Sequence, residues 1–208
     1  MEHLLVAPPD ARALLVLAHG AGSGMRHPFL ERIAQALAER RVATFRYEFL
    51  YMEQRKGRPD PPAVAGARVR EAVLDAVRAA PALPLFAGGK SFGGRMTSQA
   101  QAHEPLPGVL GLVFLGFPLH PPGRPGTGRA EHLDAVQKPM LFLQGTRDEF
   151  AGLDLLRPMV ARLGKRATLH VVDGGDHSFK VLKKTGRSEV DVLAELATVT
   201  SNWTGTIT

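Results

Sequence analysis

Leu85-Phe86-Ala87-Gly88-Gly89-Lys90-Ser91-Phe92-Gly93-Gly94 joins an apolar run to an amphipathic one through a serine flanked by glycines. The first half reads as the end of a buried strand, and Ser91 opens a helix running to about His103. A serine hydroxyl is a poor nucleophile unless it is exposed, oriented and paired with a base. A sharp strand-to-helix turn exposes and orients it, and glycines on either side let neighbouring backbone close around it. The same turn places the Phe92 N–H at a helix start, where it can stabilise an oxyanion. Gly89-Lys90-Ser91 also resembles the end of a phosphate-binding loop. That motif requires glycine five residues before Gly89, where Pro84 stands, so this reading fails.

Working outward, five more short apolar runs share the character of Leu83–Ala87. They are Leu14–Ala18, Val42–Tyr47, Val109–Leu115, Met140–Gln144 and Thr168–Val172. Apolar throughout rather than alternating, they suit strands buried on both faces. Helical patterns lie between them. Pro28 starts one that runs to about Arg40 and buries Leu30, Ile33, Ala34 and Leu37. Val69, Val73 and Val77 mark a second, Leu153, Leu156, Val160 and Leu163 a third, and Val190, Leu193 and Leu196 a last one. Such alternation predicts an α/β fold: a mainly parallel sheet of six to seven strands, helices on both faces, in a single domain over 1–208. Tyr51–Pro62 reads as a loop and Pro118–Lys138 as a long irregular excursion.

Three further strand ends carry chemistry. Leu17-Ala18-His19-Gly20-Ala21-Gly22-Ser23-Gly24 suits the other half of an oxyanion hole, with Ala21 N–H as the donor and Gly22 next in line. His19 reads as a structural histidine of that loop. Leu141-Phe142-Leu143-Gln144-Gly145-Thr146-Arg147-Asp148 ends a strand in a glycine turn and a carboxylate, suited to orienting a histidine. Read alone, Asp148 fits equally well as a cap for the helix beginning near Gly152, and Glu149 competes with it. Val171-Val172-Asp173-Gly174-Gly175-Asp176-His177-Ser178-Phe179 places His177 in the loop after the last strand, with Asp173 and Asp176 as turn-formers. All four signals fall where ligands bind in parallel α/β sheets. Ser91, Asp148 and His177 also occur in the chain order this architecture requires of a triad.

Bulk properties narrow the field. The 208 residues are 44% hydrophobic and 22% charged, an ordinary globular balance. No run approaches the roughly 18 apolar residues of a membrane span, and the N-terminus lacks the pattern of a signal peptide, so a cytoplasmic protein is expected. The absence of cysteine removes disulfides, thiol catalysis and thiolate metal sites. The formal charge of +6 comes mostly from scattered arginines, and the densest patches, Arg40-Arg41 and Arg55–Arg58, carry few aromatic stacking partners, which argues against nucleic acid as a ligand.

These motifs together resemble the α/β-hydrolase superfamily from Leu14 to Trp203. The segments His19–Met25, Gly89–Gly94, Gly116-Phe117-Pro118-Leu119-His120-Pro121-Pro122 and Gln144–Asp148 are more specific. They are similar to a small lid-less serine hydrolase branch near the dienelactone hydrolases. That branch includes bacterial proteins and animal relatives, among them a subunit of a chromatin-modifying complex. The resemblance implies Ser91 as nucleophile, Asp148 as acid and His177 as base, with Phe92 and Ala21 N–H groups holding the oxyanion and no metal or organic cofactor. Met25, Phe92, His120, Phe150 and Phe179 flank the four loops as candidates for the pocket wall. About a dozen residues precede Leu14, so the leading hairpin is expected to be cut short. No helical cap is expected before Met140, which predicts an open site for a small or exposed ester. Two other readings stand beside the esterase. One is a binding or scaffold protein that retains the fold, the other a thioesterase or peptidase with the same triad.

Overall fold

In the computed structural model, which describes residues 1–208, seven strands form one sheet. They are β1 (His3–Val6), β2 (Ala13–Ala18), β3 (Val42–Tyr47), β4 (Leu85–Lys90), β5 (Val109–Leu115), β6 (Met140–Gly145) and β7 (Ala167–Val172). Their order is β1-β3-β2-β4-β5-β6-β7, parallel throughout except for the antiparallel pair β1 and β3. The helices are α1 (Pro28–Ala38), α2 (Leu50–Glu53), α3 (Pro62–Ala79), α4 (Phe92–His103), α5 (Leu153–Leu163) and α6 (Glu189–Gly205). None is long and apolar enough to cross a membrane.

The pleat sorts the strand side chains into two cores. Leu14, Val16 and Ala18 of β2 and Met140 and Phe142 of β6 pack with α3, α4 and α5. Leu15 and Leu17, with Leu141 and Leu143, pack on the opposite face with α1 and α6. Both faces of the central strands are covered, so these segments carry apolar residues at every position rather than at alternate ones. The sheet's C-terminal edge is left to glycines and polar residues, and the site lies there.

Several sequence expectations shift. β1 was not foreseen, since four residues are too few to show a period. It is a half-exposed edge strand in register His3–Tyr47, with the His3 ring stacked on Phe45 at 4.4 Å. The central strand runs Leu85–Lys90 rather than Leu83–Ala87, because Gly88 and Gly89 belong to it. Val77 and Val190 face solvent at 38% and 73% exposure; Ala65, Ala72 and Ala76 join the expected Val69 and Val73 in the α3 seam, and Trp203 closes α6. Within Tyr51–Pro62 the chain forms the short helix α2 and buries Tyr51 completely. The excursion between β5 and β6 contains only a 3-10 segment, Gly128–Ala135, which packs against α4. The fold has no lid.

Candidate active site

Ser91 occupies the N-cap of α4 at φ 49°, ψ −113°, a left-handed conformation that costs a non-glycine residue about 1–3 kcal/mol. Its surroundings enforce this. A Cβ at Gly89 would lie 2.4 Å from the Ala18 carbonyl oxygen, and one at Gly93 would lie 2.6 Å from that of His19. Only glycine fits at these two positions, so β2 and α4 close on the turn and hold Ser91 at its apex.

The expected Ser91–His177–Asp148 constellation comes together. His177 Nε2 is 2.8 Å from Ser91 Oγ, and His177 Nδ1 is 2.7 Å from Asp148 Oδ2. A carboxylate has no proton to give, so Nδ1 carries the hydrogen and Nε2 accepts from the serine hydroxyl. Asp148 is only 4% exposed but well satisfied. Oδ2 also accepts from Gln144 Nε2, and Oδ1 accepts from Phe150 N at 2.8 Å. Gln144 in turn accepts from Phe117 N at 2.9 Å, which makes it a positioning residue hidden in the strand β6. The acid and histidine loops are laced together by Arg147 N to Gly175 O and Gly174 N to Thr146 Oγ1, both 2.8 Å. Asp176 is the turn-former expected: its Oδ1 accepts from Ser178 N and Lys180 N.

The loop after β2 distinguishes the two oxyanion candidates. Gly22 N already donates to Tyr51 Oη at 2.8 Å, whereas Ala21 N has no acceptor within the chain. Phe92 N, first in α4, has no intrahelical acceptor. Of the three candidate donors, Ala21 N and Phe92 N are therefore the ones left free. The loop is also held by Met25 N donating to Glu48 Oε1 at 2.9 Å and by His19 Nδ1–H donating to Gly20 O at 2.7 Å. His19 is fully buried and structural, as its position suggested. Burial works to raise the Glu48 carboxyl, but the contact with His19 and the bond from Met25 N outweigh it and hold the group below its ordinary range. Tyr51 was missed because its segment is polar and proline-rich.

A cavity of about 440 Å3 opens beside Ser91 and His177, and Ala21, Phe29, Lys90 and Phe150 contribute to its wall. Phe150 also lies against the His177 ring at 4.2 Å. The other expected wall residues are elsewhere. Met25 is buried in the core, Phe179 is buried against Phe29, and His120 turns its Nδ1 to the Pro121 carbonyl at 2.9 Å. The Phe92 ring packs under the loop against Phe49 and Tyr51.

A second serine–histidine pair, Ser98 Oγ and His132 Nε2 at 2.7 Å, joins α4 to the 3-10 segment. Burial and then Arg95 push His132 down to about 4, and His132 makes no bond to a carboxylate. It is a packing contact, without the acid a triad needs.

Solved structures of similar fold include a dienelactone hydrolase from Anabaena variabilis (TM-score 0.74, 21% identity, covering 99% of this chain and 91% of that one). A lid-less α/β serine hydrolase from Xanthomonas campestris aligns at TM-score 0.73 and 20% identity, over 97% and 88%. Est1E from Butyrivibrio proteoclasticus, solved with ferulic acid bound, aligns at 0.69 and 17%, over 96% and 93%. The sequence itself matches the alpha/beta hydrolase domain family over residues 11–205, and to that family this chain belongs.

Proposed function

We propose that the chain is a serine carboxylesterase acting on small or exposed esters. The observation that carries this reading is the unbroken hydrogen-bond relay from Ser91 Oγ through His177 to Asp148. His177 Nε2 takes the hydroxyl proton as Oγ attacks the ester carbonyl. The N–H groups of Ala21 and Phe92 hold the resulting oxyanion, each such donor worth about a hundred- to a thousandfold in rate. Collapse breaks the bond to the alkoxy group, which leaves as the alcohol with the proton from His177. Water, deprotonated by His177, then attacks the acyl-enzyme, and collapse releases the acid as Ser91 Oγ takes the proton back from His177. The open cleft favours short acyl chains over long lipids, and the dienelactone hydrolase among the fold relatives agrees with ester chemistry.

The test is labelling with a fluorophosphonate probe in the wild type, Ser91→Ala and His177→Ala, followed by a panel of esters, thioesters and amides. Labelling lost in both variants, with short-chain esters turned over fastest, supports the reading. Preferential turnover of thioesters or amides replaces the esterase with a thioesterase or peptidase. Folded wild type that takes no label refutes it in favour of a binding protein.

A further inference from the structure

Lys90 belongs to the nucleophile turn but has no role in the reaction as derived above. Its Nζ donates to the carbonyl oxygen of His177 at 2.6 Å and lies 5.7 Å from the centre of the Phe179 ring. It also borders the cavity that holds Ser91. Gly116, just past β5 at φ +70°, shows how closely the surrounding groups converge. A Cβ there would lie 3.0 Å from Lys90 Nζ, 3.4 Å from His177 O and 3.5 Å from Asp148 Oδ2. The ammonium therefore stands within about 6.5 Å of the Asp148 carboxylate.

We propose that Lys90 is a positioning residue for this reaction, its ammonium fastening the loop that carries His177 to the turn that carries Ser91. The inference rests on the serine hydrolase reading. Lys90 is covalently next to the nucleophile, and the carbonyl it holds belongs to the base. A charge-assisted bond thus joins the two residues by a second route, independent of the Oγ–Nε2 contact that must break and re-form in each turnover. Lys90 is half-buried, and a cation partly withdrawn from water is costly unless compensated. Here the carbonyl, the ring face and the Asp148 and Asp176 carboxylates compensate it. The other charged or titratable groups around the cavity are His177 itself, Lys180, His27 and the Arg32–Glu189 ion pair.

Burial pushes Lys90 down to about 8, against the opposing pull of Asp148 and Asp176. Below that pH the tether is charged. Above it the neutral amine binds the carbonyl more weakly, and the loop loosens.

The experiment measures the second-order rate of fluorophosphonate inactivation from about pH 5.5 to 10 in the wild type, Lys90→Met and Lys90→Arg. The wild-type rate should fall as pH rises past about 8. Lys90→Met should be about 10- to 100-fold slower at pH 7, the scale of a misplaced base, and should lack that alkaline fall. Lys90→Arg, charged throughout, should recover rate at pH 7 and also lack the fall. A Lys90→Met rate within about threefold of wild type, with the alkaline fall intact, overturns the proposal. If circular dichroism shows that Lys90→Met does not fold, the arginine variant decides, and an unchanged alkaline fall there overturns it. A wild type that never reacts removes the hydrolase reading, and this inference with it.

Discussion

Gly93→Ala tests whether the turn around Ser91 is as closely built as its contacts imply. The added methyl would sit 2.6 Å from His19 O and 2.7 Å from both the carbonyl carbon and the Cβ of Ala18. Ordinary contact begins at 3.4 Å, so β2 and α4 must part by about 0.8 Å. None of the three atoms is the end of a flexible side chain, so no rotamer change relieves the clash. The movement separates the loop that bears Ala21 N–H from the helix that bears Phe92 N–H. Displacing one oxyanion donor costs about a hundred- to a thousandfold, and a misplacement near 1 Å about a hundredfold. We expect kcat/KM for a short-chain ester to fall by about a hundredfold. Overpacking of about 1–3 kcal/mol should lower Tm by about 2–12 °C in a chain of this length. Gly126→Ala is the control, since a methyl there meets nothing within 4 Å, and both quantities should stay put. A Gly93→Ala enzyme with wild-type turnover and wild-type Tm would refute the reasoning.

Three further outcomes follow from other contacts. Tyr51→Phe removes the acceptor of the Gly22 N–H; urea melts should show a loss of about 1–2 kcal/mol and ester turnover a fall of about tenfold. Equal turnover would mean that the bond does not hold the Ala21 loop. Asp148→Asn should lower kcat by about 10³- to 10⁴-fold, because an amide no longer enforces the Nδ1–H form of His177; a loss below about tenfold would deny Asp148 its role. His132, depressed to about 4 in the folded chain, binds its proton earlier when unfolded. Its contribution is therefore present above about pH 6.5 and lost as pH falls towards 4. Tm should decline less steeply across that window in His132→Gln, and identical slopes would contradict the shift.

Much of the fold was legible because burial on both faces writes itself directly into sequence. Leu14–Ala18 and Val109–Leu115 are apolar at every position, and the structure places them inside the sheet. The parts that escaped are those where contact overrides local preference. Gly88 and Gly89 look like a turn, yet they are strand because β5 and β2 press too close for side chains. β1 is only four residues long and half exposed, so it carries no pattern until β3 pairs with it. Ser91, Asp148 and His177 could be read from chain order and strand-end position, which topology converts into proximity. Tyr51 and Gln144 could not, since a hydrogen bond to a backbone N–H leaves no mark on sequence spacing. Phe150 does line the pocket, but Met25 and Phe179 do not, for a related reason: they adjoin the loops in sequence, yet apolar side chains there turn into the core.

The relay spans the sheet unevenly. Ser91 follows the central strand β4, whereas His177 follows β7, an edge strand that is only partly buried along most of its length. Edge elements open locally at lower free energy than the core they rest on. Serine and imidazole therefore separate before the molecule as a whole unfolds, so catalytic competence has a stability of its own, below the global one. On heating, turnover should fade while the circular dichroism signal still reads native, and during refolding activity should be the last property to return.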